Sequence, residues 1–366
     1  LTINREQLPV LYSLIAGALF ASGTPLAKLF LTDIPPLSLA SVLYLGSATG
    51  LLICFAASKI ISLVKNETPR SKKEAPLSKK DIPWFLGSAF SGSVLSTIIL
   101  MISLQHVHAV TASMLLSFEA VASTLIAVTV CREPVGRRVW AALCLITLAC
   151  LALAYSPGSE FGLSLGALGI VLTCICWGID TNIERKLSSK DPFEIILAKG
   201  MTAGTVLFII AMVSGSAFPS PEILIPAMTV GFISFGGFMM ILYIYGLREL
   251  GAARASSLFG MNPVFGVIAS FLIFRELPGI LFFPALFLMV SGLFLLSTEK
   301  HSHLHTHPAE THEHRHHHPD IHHEHEHTPD DPPLDRFGYH SHLHTHTELT
   351  HTHAHRPDIH HRHRHY

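Results

Sequence analysis

The chain has 366 residues, 49% of them hydrophobic and only 14% charged, with a formal net charge of −1. An ordinary soluble domain carries about 25% charged residues, so a soluble globular enzyme and a basic nucleic-acid-binding surface are both excluded as the chain's dominant character. The averages conceal two regimes: apolar runs fill the sequence to about Thr298, and all of the 26 histidines except His106 and His108 lie beyond it.

After a short polar start (1–9), the first apolar run spans 10–30. It is too long for the core of a secretory signal and reads as a membrane span. Further runs follow at 37–58, 83–104, 109–130, 139–155, 163–182, 192–214, 223–246, 252–273 and 279–297. Each approaches the roughly 20 apolar residues that cross about 30 Å of hydrocarbon. The expected fold class is therefore an all-α integral membrane protein of ten transmembrane helices.

Positive charge orients the spans. With the N-terminus inside, the inward segments receive Arg5, the basic residues of 59–80, Arg132, Arg137, Arg138, Arg185, Lys186, Lys190, Arg248, Arg254 and Lys300. The outward segments receive Arg275, with Lys28 near the outer end of the first span. Both termini are thus expected in the cytoplasm, with the spans in the cell (inner) membrane. The segment 59–80 reads as a solvated inner loop.

An offset of 143 residues aligns 101–154 with 244–297 without a gap, and Arg132-Glu133-x-x-Gly136 returns as Arg275-Glu276-x-x-Gly279. Five spans per copy is an odd number, so the second copy enters the membrane from the opposite side. Inverted repeats of this kind recur in secondary transporters, where mirrored halves rock about a central site. The implied organisation is a cytoplasmic N-terminus (1–9), a first five-helix repeat (10–155), a second (156–298) and a histidine-rich tail (299–366).

Ionisable side chains at mid-bilayer are costly and default to functional candidates. Glu119 lies halfway along the fourth span, and its repeat partner Asn262 halfway along the ninth. Glu119 is a candidate for a coupling proton or a cationic group, with a structural hydrogen bond as the plainer reading. Lys199 and Asp180 lie at similar depth and are expected either to pair as an inner gate or substrate contact or simply to neutralise one another. Lys28 is expected to snorkel to the interface. Trp177 reads first as a packing residue and second as a stacking surface in the substrate pathway. His106 and His108 mark an outer turn, with too few ligands for a structural zinc site. The six cysteines fall in or beside apolar runs and read as small packing residues.

Two stretches carry a family resemblance: Ser113-Met-Leu-Leu-Ser-Phe-Glu-Ala-Val through Cys131-Arg-Glu-Pro, and Ser256-Ser-Leu-Phe-Gly-Met-Asn-Pro-Val through Phe274-Arg-Glu-Leu. With Trp177-Gly178 opening the second half, the chain over about 10–298 resembles the EamA-type branch of the drug/metabolite transporter superfamily. That resemblance implies a secondary carrier of metabolites, amino acids or drugs, working without ATP hydrolysis and without a cofactor. The family's proline within the fourth-helix motif is present as Pro263, whereas Ala120 stands at the matching place in the first half. This leaves open whether the two halves bend alike.

The tail contains its own duplication. HSHLHTH at His301 returns at His340, and Pro319-Asp-Ile-His-His returns at Pro357. With few apolar side chains to offset the entropy of folding, it is expected to be disordered. Neutral imidazole favours zinc, nickel and other divalent transition metals, so the tail is a candidate binder of Zn or Ni. Its candidate ligands are His301, His303, His305, His307, His316, His317, His318, His322, His323, His340, His342, His344, His346, His360, His361, His363 and His365.

The favoured reading is a secondary transporter of a small organic solute whose cytoplasmic tail binds divalent metal ions. A dedicated divalent-metal carrier is second, and a metal-storing membrane scaffold third. No nucleophile–base pair, phosphate loop or hydrolase metal motif supports an enzyme. The partners implied are the lipid bilayer, a small-molecule substrate and divalent metals, with no nucleic acid. A homo-oligomer stays open.

Overall fold

A computed structural model describes residues 8–64, 77–130, 135–155, 163–187, 190–250, 255, 258–275 and 279–297, and in the tail 301–307, 310–317, 339–346 and 349–355. Among the described residues, the part preceding the tail is helical and contains no β-strand. Eight stretches of the described residues are long and apolar enough to cross a membrane: Leu8–Phe30, Pro36–Ala57, Ile82–Leu104, Ala109–Thr129, Arg137–Ala154, Leu165–Leu187, Pro192–Val213 and Pro221–Gly246. Two shorter apolar helices, Asn262–Phe274 and Phe282–Leu296, occupy the regions expected for the last two spans. The chain is a multi-pass membrane protein.

Within these stretches the helices are α1 (Leu8–Phe30), α2 (Pro36–Val64), α3 (Ile82–Ser88), α4 (Ser96–Leu104), α5 (Ala109–Leu115), α6 (Phe118–Thr129) and α7 (Arg137–Ala154). They continue as α8 (Leu165–Glu184), α9 (Pro192–Val213), α10 (Pro221–Ser234), α11 (Phe238–Leu250), α12 (Asn262–Phe274) and α13 (Phe282–Ser297). Several apolar runs that read as single spans are broken. A π-helix, Ala89–Leu95, separates α3 from α4. Turns at 116–117 and 260–261 precede α6 and α12, and a bend at 235–237, with Gly236 at φ +99°, separates α10 from α11. Breaks are tolerated at membrane depth only where protein or a water-lined cavity takes up the freed backbone groups.

The breaks answer the question left by Ala120. Both the fourth and the ninth apolar runs are interrupted just before their polar residue, although only the second carries proline there. In the first half, Glu119 N–H reaches Leu116 O at 3.1 Å and Ala120 N–H reaches Ser117 O at 3.2 Å, three-residue bonds that make the turn without proline.

Helix packing joins the two halves. α2 packs on α9 and α10, α7 on α13, α1 on α11 and α12, and α8 on α4 and α6. Small residues permit these approaches, as expected where lipid removes the hydrophobic drive between helices. A Cβ on Gly46 would collide with the Met228 backbone, and one on Gly231 with the Leu43 backbone, so α2 and α10 cross main chain to main chain. Ser113 and Ser270 join α5 to α12 through buried hydroxyls 3.1 Å apart. Large apolar side chains such as Val213, Ile280 and Phe287 stand exposed on the outside, as a lipid-facing surface requires.

Lys28, expected to snorkel, finds carbonyl partners at the end of a neighbouring helix. Its ammonium donates to Leu104 O at 3.0 Å and to the Val107 carbonyl, tying α1 to the C-terminal end of α4. A cation at a helix C-terminus answers both orphan carbonyls and the helix dipole. Among the described residues Cys54, Cys144, Cys150, Cys174 and Cys176 are free thiols, and Cys131 lies outside them.

In the tail, β1 (His301–His307) pairs antiparallel with β4 (Leu349–His355), and β2 (Glu310–His317) with β3 (Tyr339–His346).

Candidate functional site

The candidate site assembles where α3, the π-helix, α6, α8 and α9 meet. α8 starts cleanly because Ser164 caps it, its hydroxyl accepting from Ala167 N–H. Gly178 then brings α8 against the α6 backbone at Ala122 and Ser123, where any Cβ would press on main chain. Asn182 locks that approach by donating to Ser123 O at 3.0 Å and to Gly178 O at 2.8 Å. These contacts fix α8 beside the first turn of α6, where Glu119 stands.

Asp180 and Glu184 lie one helical turn apart on α8, so both face the same neighbour. That neighbour is α9, which Asp191 starts by accepting from Phe193 N–H at 2.9 Å, with Pro192 at its first turn. Lys199, two turns into α9, bridges both carboxylates. Its ammonium is 3.0 and 2.9 Å from the two oxygens of Asp180 and 2.7 Å from Glu184 Oε1. Ser88, the last residue of α3, donates to Asp180 Oδ1 at 2.5 Å. The expected Lys199–Asp180 pair is thus present, and Glu184 joins it.

Glu119 is half-buried, within electrostatic reach of Asp180 and Glu184 and in side-chain hydrogen-bonding contact with Thr181. No cation among the described residues forms an ion pair with it. Lys199 thus serves Asp180 and Glu184, and Glu119 stands beside that tie without joining it. The neighbouring residue Ser117, where the α5–α6 turn ends, is 6% exposed, and its hydroxyl has no hydrogen-bond partner among the described residues. Such a group costs free energy unless something completes it.

Trp177 lies one turn before Thr181 on α8. Its indole N–H donates to Gly92 O at 3.1 Å, filling a carbonyl of the π-helix, and its ring stands 6.4 Å from that of Phe20. Phe20 in turn neighbours Phe259 at 5.4 Å, and Phe259 neighbours Tyr243 at 4.6 Å. An aromatic run thus links the centre of α8 to the break before α12. Asn262 opens α12 at that break, half-buried, and takes no part in the Asp180–Lys199–Glu184 network. The structure joins Lys199 and Asp180 directly, gathers Glu119 and Trp177 around them, and leaves Asn262 on the α1 and α5 side.

Sequence reading missed Glu184, Ser88, Ser117 and the π-helix. Glu184 carried a usable signal, since it sits four residues after Asp180 on the same helix face. Its exclusion came from ending that span at 182, one turn early. Outside the membrane, Asp81 is another omission: Ser78 donates to it from its hydroxyl at 2.6 Å and its backbone at 2.8 Å, and Lys190 lies 3.0 Å away. These contacts, the Ser78 hydroxyl first, hold Asp81 down at about 2.

Of the tail histidines, His301, His303, His305 and His307 lie on β1, His316 and His317 on β2, and His340, His342, His344 and His346 on β3. His318, His322, His323, His360, His361, His363 and His365 lie outside the described residues. Among the described residues no group of three His, Cys, Asp or Glu side chains is arranged to hold a metal ion.

The EamA-like transporter family matches the chain twice, over 7–155 and 164–298. A protein described as an uncharacterized transporter of Methanothermobacter thermautotrophicus is 26% identical over 289 residues, spanning 77% of this chain and 83% of its own. A protein of known crystal structure shares the fold, with a TM-score of 0.55 at 14% identity, over 78% of this chain and 95% of its own.

Proposed function

Because the chain belongs to the EamA-like transporter family, whose members are transporters rather than enzymes, we propose that it is a secondary carrier of a small organic solute in the cell (inner) membrane. Both termini are cytoplasmic, and the tail binds divalent transition metals such as zinc or nickel. The observation that carries this reading is the carboxylate cluster at the interrupted helices: Glu119, with no counter-ion among the described residues, beside Asp180 and Glu184 already held by Lys199.

A half-buried carboxylate that no cation neutralises is a seat for a proton or for the cationic group of a solute. Glu119 takes that role. Lys199, Asp180 and Glu184 form an ionic tie between α8 and α9, closed when the site is empty on the inner side. The unpartnered hydroxyl of Ser117 and the aromatic run Trp177–Phe20–Phe259 supply polar and apolar contacts to the solute.

The break positions support an inverted repeat as the moving device. Carried along the chain, the 143-residue offset takes the π-helix at 89–95 onto 232–238, which contains the bend at 235–237. It takes the turn at 116–117 onto 259–260, beside the turn at 260–261. The helix contacts exchange in the same way: α1 with α11 and α12 corresponds to α8 with α4 and α6.

The test is uptake into proteoliposomes, screened against amino acids, amines and divalent ions, with the full chain and with a chain ending at Lys300. Saturable uptake of an organic solute by both chains, with metal retained by the full chain only, is expected. Uptake of divalent ions alone, lost with the tail, would replace this reading by a metal carrier.

A further inference from the structure

The third span begins at the end of the bundle where α8 closes and α9 opens. Asp81 stands just before α3, and Phe85 N–H already donates to Asp81 O at 2.9 Å, so the helical path includes it. Asp81, Trp84 and Ser88 then recur at steps of three and four residues, which places them on one face of the helix.

Each position on that face meets the α8–α9 hairpin. Nearest the surface, Asp81 Oδ2 lies 3.0 Å from the ammonium of Lys190, in the loop between α8 and α9. One turn deeper, the Lys186 ammonium stands 6.0 Å from the centroid of the Trp84 ring, within reach of its face. Deeper again, Ser88 donates to Asp180 Oδ1 at 2.5 Å, the oxygen that Lys199 also binds at 3.0 Å. Ahead of the helix, Leu77 N–H donates to Glu194 Oε2, in the first turn of α9, at 3.2 Å. Just past it, Gly92 of the π-helix runs so near the Asp180 carboxylate that a Cβ would collide with it. These contacts follow one another from the surface to the candidate site.

The opposite end of the bundle is held differently. The 143-residue offset carries Asp81, Trp84 and Ser88 onto Leu224, Ala227 and Gly231 of α10. There the packing is main chain on main chain, Gly231 against Leu43 and Gly46 of α2 against Met228. Among the described residues no ion pair joins α10 to α2. Contacts set by glycine have no side chain to let go, whereas ion pairs and cation–π contacts near water are individually weak and are readily exchanged for hydration. A π-helix also interrupts the regular hydrogen-bond ladder just beyond Ser88, and helices bend at such places.

We propose that α3 is a releasable strap: its Asp81–Trp84–Ser88 face closes the inner approach to the Asp180–Lys199–Glu184 cluster, and the helix lifts from the α8–α9 hairpin as one unit by bending at the π-helix. This rests on the proposed carrier reading for the site that it guards, and on the proposed orientation for the compartment that it faces. Ser88 couples the strap to the cluster, since a solute group that draws on Asp180 competes with the Ser88 hydroxyl.

The test reads the strap without any solute, on the full chain in inside-out membrane vesicles. Ser91, 9% exposed in the π-helix and turned to Gly87 O, is changed to cysteine as the reporter. A membrane-impermeant maleimide is the probe, and mass spectrometry of the peptide holding residue 91 reads its labelling apart from the native thiols. Asp81→Lys is expected to speed that labelling at least about tenfold, the change in open population that about 1.4 kcal/mol produces. Lys190→Asp alone should act likewise, and Asp81→Lys combined with Lys190→Asp should return the rate to within about threefold of the reporter alone, as two residues in direct contact are expected to couple. Ala227→Cys, at the fully buried counterpart position on α10, should label no faster with Asp81→Lys than without it.

No rise at residue 91 in either single variant would overturn the strap. So would a rise that the paired exchange leaves in place, or one that Ala227→Cys shares. The same rise confined to right-side-out vesicles would overturn the inward placement and leave the strap standing. Absence of solute uptake by the parent chain, with this labelling pattern intact, would count against the carrier reading and not against the strap.

Discussion

The fourth and ninth apolar runs make an instructive comparison. Each breaks just before a polar residue, but one break carries Glu119 and Ala120, the other Asn262 and Pro263. The first is made by three-residue hydrogen bonds at 116–120, the second by a proline in the first turn of α12. The two breaks are alike in backbone and differ in side-chain chemistry. Only the first break sits beside the Asp180–Lys199–Glu184 cluster. In the proposed carrier the two halves would share a break in the helix but not a role, the acidic half holding charge and the amide half lining the wall.

The sharpest way to strain this comparison is to remove the ammonium on which the acidic half depends. Lys199→Gln leaves Asp180 and Glu184 facing one another, and losing one partner of a buried pair costs about 3–5 kcal/mol. The cost here should fall at the low end, because the Glu184 side chain is 44% exposed. A clear drop in the thermal midpoint of the purified protein is expected, partly recovered when Asp180→Asn is added.

Ser117 tests the same half more gently. A buried hydroxyl without a partner costs about 1–3 kcal/mol, so Ser117→Ala should raise the thermal midpoint while weakening solute affinity. A rise without any change in affinity would make the hydroxyl a structural defect only. Ala120→Pro addresses the hinge. It forfeits the Ala120–Ser117 bond, about 0.5–1.5 kcal/mol net, and restricts the unfolded chain by a comparable about 0.4–1 kcal/mol. The variant should therefore fold and transport nearly as the parent does.

The smallest effect is expected outside the membrane, at Asp81. With its carboxyl held at about 2, its contribution is complete above the ordinary carboxylate range, near 3.9, and is lost only as pH falls through about 2. Asp81→Asn should therefore lower the thermal midpoint by a small, constant amount between pH 7 and 5. An offset that grew or shrank across that window would mean that Asp81 titrates there.

Much of this architecture is written in hydropathy. The apolar runs coincide with helices, because a length of about 20 apolar residues has few other physical uses. The breaks were not legible: Leu116-Ser117 is as apolar as its surroundings, and nothing in Ala89–Leu95 marks a π-helix except its run of small residues. Helix ends limited the site as well. Lys199 and Asp180 stood out as charges in apolar runs, whereas Glu184 lay where a span ending and a loop beginning look the same. In the tail, histidine stands opposite histidine along both strand pairs, a register that composition alone does not reveal.

The most direct measurement is uptake of an accepted solute by proteoliposomes holding either the parent chain or Glu119→Gln, followed across pH. Loss of a charge-assisted contact worth about 1.5–3 kcal/mol predicts uptake reduced at least about tenfold, with its pH dependence flattened. Uptake by the variant at the parental rate, with the parental pH profile, would contradict a carrier centred on Glu119.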